Sequence, residues 1–239
     1  AAPPLVLDTT MVSEDYSFIQ PIDPDPLKTP TKFVITGLPR GLTYNKVTGE
    51  IYGRALIAGT YDKIKITPSN LKGKGTVIDA VLEVLPLPPG SDGAYVAMID
   101  KDPVVTAGLG GRLTMSVSAA GAVSGRLIAG AESLAFRGVL DTLAAGGDPT
   151  ATITVKRSRG LPAFLLNLVL HPGSHLMDGT LTITGGLDSA PINGWSNIWS
   201  TRGMPVVDFL GYHTLIIDLA LGDEGIEAIP QGCGYGSIS

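Results

Sequence analysis

Short apolar segments alternate with polar residues along the whole chain, and turn residues stand between them. Thr76–Leu85 shows the pattern best, with apolar side chains at Val77, Ala80, Leu82 and Val84. A period of two places alternate side chains on opposite faces of a strand, and the single slip in this run predicts a bulge. The pattern predicts an all-β protein built from many short strands.

One hairpin is the clearest local signal. Leu42–Tyr44 and Ile51–Gly53 are the predicted strands, and Asn45–Gly49 is the predicted turn, whose last residue is suited to a positive φ. Two later hairpins repeat the pattern of a turn followed by a glycine in the returning strand. The three glycines are Gly53, Gly125 and Gly179. Glycine inside a strand is typical of a bend or a close backbone approach, which predicts a curled sheet.

Composition supports this interpretation and excludes others. The chain has 31 Gly and 18 Pro, with 44% hydrophobic and 16% charged residues, so neither long helices nor disorder are expected. Its net charge is −5 without a basic cluster, which predicts no nucleic-acid partner. No apolar run reaches the length of a membrane-spanning helix, so we expect no membrane span. The single cysteine, Cys233, allows no intrachain disulfide.

A proline-rich segment divides the chain. Residues 88–92 are the predicted linker, which should be short and stiff. We expect one β-domain over residues 1–87 and a second, an antiparallel curled sheet or partial β-barrel, over residues 93–239. Within the second, Gly93–Asp100 resembles Leu210–Asp218, and each is followed by a glycine cluster. This echo predicts that the chain ends within a second repeat.

Several motifs of the first part occur in a characteristic order. They are Gly37-Leu38-Pro39-x-Gly41-Leu42-Thr43, Thr48-Gly49-x-Ile51-x-Gly53, Gly59-Thr60-Tyr61, and Ser69-Asn70 with Gly73 and Gly75. Together they resemble the bacterial Ig-like modules of the cadherin-like type, which imply a β-sandwich and occur in arrays on large extracellular proteins. The chain departs from that pattern at Ala55, where proline is common, and at Ser13-Glu14, where glycine is common.

The second part is similar to β-rich modules that follow such domains in large surface proteins of planctomycete and verrucomicrobial bacteria. The similarity lies in the Gly-x-Tyr starts, the Gly-Gly-x-Leu-x-x-x-Val pattern and the tryptophan-bearing segment Ile192–Ser200. These resemblances imply an extracellular or cell-surface location.

Three groups of residues are candidate sites. Glu14, Asp15, Asp23 and Asp25 could supply oxygen ligands to calcium, although Asp-Pro pairs also begin turns; no other cofactor is expected. Two histidines, His171 and His175, flank Pro-Gly with Asp178 nearby, as in a metal site or a plain hairpin tip.

Trp195 and Trp199 are four residues apart, on the same face of a strand. With Tyr212 they could form a platform on which sugar rings stack. The alternative is that both indoles plug the core or the barrel end, because each buries a large apolar area.

No catalytic constellation is evident. The chain has no Gly-x-Ser-x-Gly nucleophile elbow, and Gly108–Gly111 precedes no predicted helix. We therefore expect a non-catalytic structural or adhesive segment of a secreted or cell-surface bacterial protein. The alternatives are a subunit that self-assembles by strand complementation and a carbohydrate-binding module. The corresponding partners are copies of the chain, neighbouring domains of a larger chain, or a polysaccharide.

Overall fold

The computed structural model describes residues 3–19, 29–158 and 160–198, together with the backbone of 211–216 and 233–238. These ranges contain strands and turns and no helix, so none of them offers a helix able to cross a membrane. The all-β fold class is confirmed. The chain divides into two compact units, Ala1–Asn197 and Ile198–Ser239.

The N-terminal half of the first unit is a two-sheet structure, called the sandwich below. Its strands are β1 (Leu5–Val6), β2 (Thr10–Met11), β3 (Tyr16–Phe18), β4 (Lys32–Thr36), β5 (Leu42–Tyr44), β6 (Ile51–Gly53), β7 (Gly59–Asn70), β8 (Gly73–Lys74) and β9 (Ile78–Leu85). One sheet has the order β1-β9-β7-β4, with β2 also on β9 and β8 on β7, and the other has the order β3-β6-β5. β1 and β2 run parallel to β9, whereas the remaining pairs are antiparallel.

Alternation along the central strands fills the sandwich core as the sequence predicts. Ile64 and Ile66 on β7 and Leu82 on β9 are fully buried. The predicted hairpin is confirmed, with Asn45–Gly49 between β5 and β6. The predicted strand begins at Thr76, whereas β9 begins at Ile78, and Val77 just before it is 48% exposed. The predicted irregularity lies on the partner strand, between Tyr61 and Ile64.

The following residues form an eight-stranded curled sheet, called the barrel below. Its strands are β10 (Gly93–Ile99), β11 (Gly111–Val117), β12 (Ala122–Ala129), β13 (Glu132–Val139), β14 (Thr150–Val155), β15 (Phe164–His171), β16 (Leu176–Ile183) and β17 (Ser189–Asn197). The order is β13-β12-β11-β10-β17-β16-β15-β14, and every neighbouring pair is antiparallel. The sheet therefore begins and ends on strands that are consecutive in sequence.

Two contacts bring those end strands together. Asp141, two residues past the end of β13, exchanges backbone hydrogen bonds of 2.7 and 2.9 Å with Thr150, the first residue of β14. At the other end, Nε of Arg157 lies 3.1 Å from both carboxylate oxygens of Glu132. These hydrogen bonds from Arg157 lower the pKa of the Glu132 carboxyl. The curled sheet is thus nearly closed, as the glycine pattern predicts.

Inward-facing side chains pack the interior of the barrel. Tyr95, Leu113, Leu127 and Leu166 are among its buried residues. Where the glycine of β12 stands, an added Cβ would lie 2.6 Å from Cζ of Phe136. Packing of this kind leaves no room for a side chain larger than hydrogen at this position.

Of the second unit, only two strands are described. β18 (Gly211–Ile216) and β19 (Cys233–Ile238) form an antiparallel pair in which Tyr212 lies opposite Ser237. β10 and β11, whose sequences resemble those of β18 and β19, also form an antiparallel pair, with Tyr95 opposite Met115. The sequence echo thus corresponds to the same local backbone structure, and the second repeat stays a prediction.

Candidate functional site

The outward residues of β14–β17 form a largely polar surface, called the outer face below. Cross-strand register sets them in rows. One row contains Thr152, Asn167, Thr180 and Pro191, and the next contains Thr150, Val169, Asp178 and Asn193. The buried residues between these rows, among them Leu168 and Ile192, face the barrel interior. Strict alternation thus gives the same strands an apolar inside and a polar outside.

A groove crosses the outer face between these two rows. It has a volume of about 570 Å³, and its lining includes the side chains of both rows and the backbone at Gly179. Since four strands contribute, the groove extends over three strand spacings, or about 14 Å. Its length and shallow shape suit an extended ligand better than a compact one.

The hydrogen-bonding groups in the groove are mostly uncommitted. The carboxamide oxygen of Asn167 accepts from Oγ1 of Thr152 at 3.2 Å, which leaves the two amide protons of Asn167 available. Among the residues that the structure describes, Asn193 and Thr180 have no side-chain hydrogen bond. The groove therefore offers amide and hydroxyl groups that can both donate and accept.

His171 holds the carboxylate at one end of the groove. Its Nε2 lies 2.8 Å from Oδ2 of Asp178, and its Nδ1 lies 2.6 Å from Oδ2 of Asp148. The hydrogen bonds that Asp178 and Asp148 accept raise the pKa of the imidazole, so the ring favours its charged form and donates from both nitrogens. One oxygen of Asp178 is left free to face a ligand.

The two histidines, His171 and His175, lie at a hairpin turn in the structure. Residues 172–175 form the turn between β15 and β16, so the hairpin-tip interpretation is confirmed. The two rings engage different partners, since Nδ1 of His175 lies 3.3 Å from Oγ of Ser196. In the described ranges, no group of three or more His, Cys, Asp or Glu side chains is placed to hold a metal ion.

Trp195 belongs to the outer face and not to the core. It stands opposite Leu176 on one side and Val96 on the other, and its side chain is 49% exposed. Its neighbours in sequence, Gly194 and Ser196, face inward. The part of the alternative that places Trp195 in the core is therefore wrong, and the part that places it at the barrel end stays untested. Trp199 lies outside the described residues, and only the backbone of Tyr212 is described.

Of the four predicted calcium ligands, Glu14 and Asp15 lie in the described part of the chain. Oε2 of Glu14 accepts hydrogen bonds from Oγ1 of Thr10 at 2.9 Å and from the backbone N of Met11 at 2.8 Å, which is a local turn contact. Asp15 is exposed. Asp23 and Asp25 lie outside the described residues, and the calcium site stays a prediction.

The sandwich and the barrel contact each other in a region called the joint below, which no pattern in the sequence predicted. It consists of Val12, Ser13 and Arg54 on one side and Leu140–Thr142 on the other. Oγ of Ser13 donates to the carbonyl of Leu140 at 2.6 Å, and Oγ1 of Thr142 donates to the carbonyl of Val12 at 2.7 Å. Ser13 and Thr142 are both buried.

Arg54 completes the joint. Its Nη1 donates to the carbonyl oxygens of Ser13 and, at 3.2 Å, Leu140, while its Nη2 lies 2.6 Å from Oδ1 of Asp141. Ser13 has a φ of 71°, a backbone conformation that glycine adopts far more readily than serine.

Comparison with family models, with curated proteins and with solved structures yields no match.

Proposed function

We propose that this chain is a non-catalytic structural and adhesive segment of a secreted or cell-surface bacterial protein. The observation that carries the proposal is the joint. Two β-modules on a flexible tether move independently, whereas a buried, fully hydrogen-bonded contact fixes their mutual orientation. A fixed orientation suits a segment that spaces or presents a binding surface.

The joint contains a residue in an unfavourable backbone conformation. A non-glycine residue at positive φ costs about 1 kcal/mol or more unless its surroundings compensate. Ser13 adopts that conformation, and its hydroxyl bonds across the joint to a residue 127 positions away. The linker is fixed as well, because the hydroxyl of Tyr95 lies 2.9 Å from the carbonyl oxygen of Gly90 and 3.0 Å from that of Ser91.

Calorimetry of the full chain tests the proposal. If the joint is rigid, the sandwich and the barrel unfold in one transition whose calorimetric and van't Hoff enthalpies agree. Thr142→Val leaves the carbonyl of Val12 without its buried partner and should lower stability by about 1–3 kcal/mol. Thr142→Val combined with Arg54→Met should split the transition in two.

Thr154→Val is the matched control, since Thr154 is exposed on β14 and its replacement leaves the joint intact. Two independent transitions in the wild-type chain would overturn the structural part of the proposal. A reproducible hydrolytic activity that a single carboxylate substitution abolishes would overturn its non-catalytic part. Labelling of intact cells with an antibody to the chain tests the location, and labelling only after permeabilisation would refute it.

A further inference from the structure

We propose that the groove on the outer face binds a neutral polysaccharide, with Trp195 as the surface on which a sugar ring stacks. The inference rests on the adhesive role proposed above and names the class of ligand. Three properties of the outer face lead to it: an exposed indole, uncommitted amide and hydroxyl groups beside it, and a single acidic group in the lining.

The geometry places the indole next to the polar groups. Trp195 and Asn193 are two residues apart on β17, so their side chains point the same way and are about 6.6 Å apart along the strand. Asp178 lies opposite Asn193 on the neighbouring strand. Trp195 lies just beyond the lining of the groove, in the row next to that of Asn193 and Asp178. A ligand that extends from the groove past Asn193 can therefore contact the indole with its apolar face and the carboxamide and carboxylate with its polar edge.

The chemistry of these groups matches the surface of a sugar. A pyranose ring has apolar C–H faces, which pack on aromatic rings, and an edge of hydroxyl groups, each a donor and an acceptor. The carboxamide of Asn193 can donate to one hydroxyl and accept from another, and the free oxygen of Asp178 can accept from a third. An apolar peptide would leave these groups desolvated without partners, which is unfavourable.

The charge of the lining decides between neutral and acidic sugars. Among the residues that the structure describes, Asp178 is the only charged one that lines the groove, and Asp148 lies close by through His171. Two carboxylates with one imidazolium give this end of the groove a net negative charge. A uronic acid polymer would be repelled there, whereas a neutral polymer is not.

The test is titration of the full-length chain with cellohexaose, xylohexaose, mannohexaose and laminarihexaose, with oligogalacturonate as the acidic probe. Calorimetry measures affinity. Trp199→Phe leaves Trp195 as the only tryptophan, so its fluorescence reports contact with the indole. We expect at least one neutral hexasaccharide to bind and to shift the emission of Trp195 to shorter wavelength, while oligogalacturonate does not bind.

Variants locate the site. Trp195→Ala should weaken binding about tenfold or more, and Trp195→Phe should restore part of it because a ring is kept. Asn193→Ala should weaken binding several-fold. Tyr52→Ala removes an exposed aromatic from β6 of the sandwich and should bind as wild type. Circular dichroism verifies that each variant is folded.

Three results would overturn the inference: no binding of any neutral hexasaccharide at millimolar concentration, wild-type affinity in Trp195→Ala and Asn193→Ala, or binding of oligogalacturonate as tight as that of the neutral sugars. The joint is not part of the groove, so Thr142→Val should bind with unchanged affinity. Failure of sugar binding therefore leaves the cooperative unfolding of the joint untouched, and failure of cooperative unfolding leaves sugar binding untouched.

Discussion

Replacing Gly125 with alanine tests whether glycines inside the strands allow the barrel to curl. Gly125 lies on β12, where an added Cβ would meet Cζ of Phe136 at 2.6 Å, Cα of Met115 at 2.9 Å and, closer still, the carbonyl oxygen of Thr114. Two of these obstacles are backbone atoms, which cannot move aside by a change of rotamer. The methyl group can be accommodated only if β11 and β12 separate or the sheet flattens.

The expected magnitude follows from the cost of overpacking. Extra methyl groups in a packed core typically cost about 1–3 kcal/mol, and backbone obstacles place Gly125→Ala at the upper end, about 3 kcal/mol. In a unit of this size each kcal/mol shifts the melting temperature by about 2–4 °C, so Tm should fall by about 6–12 °C. Urea unfolding followed by circular dichroism measures the free energy, and calorimetry measures Tm.

Gly173→Ala is the matched control. Gly173 lies in the turn between β15 and β16, has no positive φ, and an added Cβ there would meet nothing within 4 Å. Alanine at such a position restricts the unfolded chain and should leave stability unchanged or raise it by up to about 1 kcal/mol. If Gly125→Ala unfolds within about 0.5 kcal/mol of wild type, steric crowding at this position is not what requires glycine, and the reasoning fails.

Two further predictions concern titrating groups. Asp178 and Asp148 raise the pKa of His171 above 6.5, so its ion pairs stabilise the fold fully below pH 6.5, and this contribution is lost as the pH rises through the folded-state pKa. NMR titration of the imidazole should show the raised pKa, and Asp148→Asn should lower it. A pKa that Asp148→Asn leaves unchanged would contradict the geometry. Burial raises the pKa of Tyr95 to about 12, which ultraviolet titration can detect. Tyr95→Phe should lower the free energy of unfolding by about 1 kcal/mol because the hydrogen bonds to the carbonyls of Gly90 and Ser91 are lost. Wild-type stability in Tyr95→Phe would show that these bonds contribute nothing.

The local elements of this protein follow from its sequence because their causes are local. Turn residues and period-two alternation predict the hairpin of β5 and β6, and the same signals predict the hairpin of β15 and β16 around His171–His175. The glycines at 125 and 179 predict close backbone approaches, and both positions show them. The start of a strand is less well determined: the alternating run begins at Thr76, whereas β9 begins at Ile78, where its pairing with β7 begins.

The candidate site could be predicted only in part. The spacing of Trp195 and Trp199 predicts a shared face but not which face, because that choice depends on which neighbours the strand pairs with. In the structure, β17 pairs with β10 and β16, and Ile192 and Gly194 face inward, which leaves Trp195 outside. No sequence signal links His171 to Asp148, since that contact needs β14 and β15 to be adjacent.

The sequence alone therefore determined the fold class, the strands and the turns, since these depend on the preferences of neighbouring residues. Tertiary structure decided the near closure of the barrel, the side on which Trp195 stands, and the joint between Ser13, Arg54 and Leu140. The physical reason is distance along the chain. Ser13 and Leu140 are 127 positions apart and share no local interaction along the chain. Only the complete packing of both modules brings their hydrogen-bonding groups together.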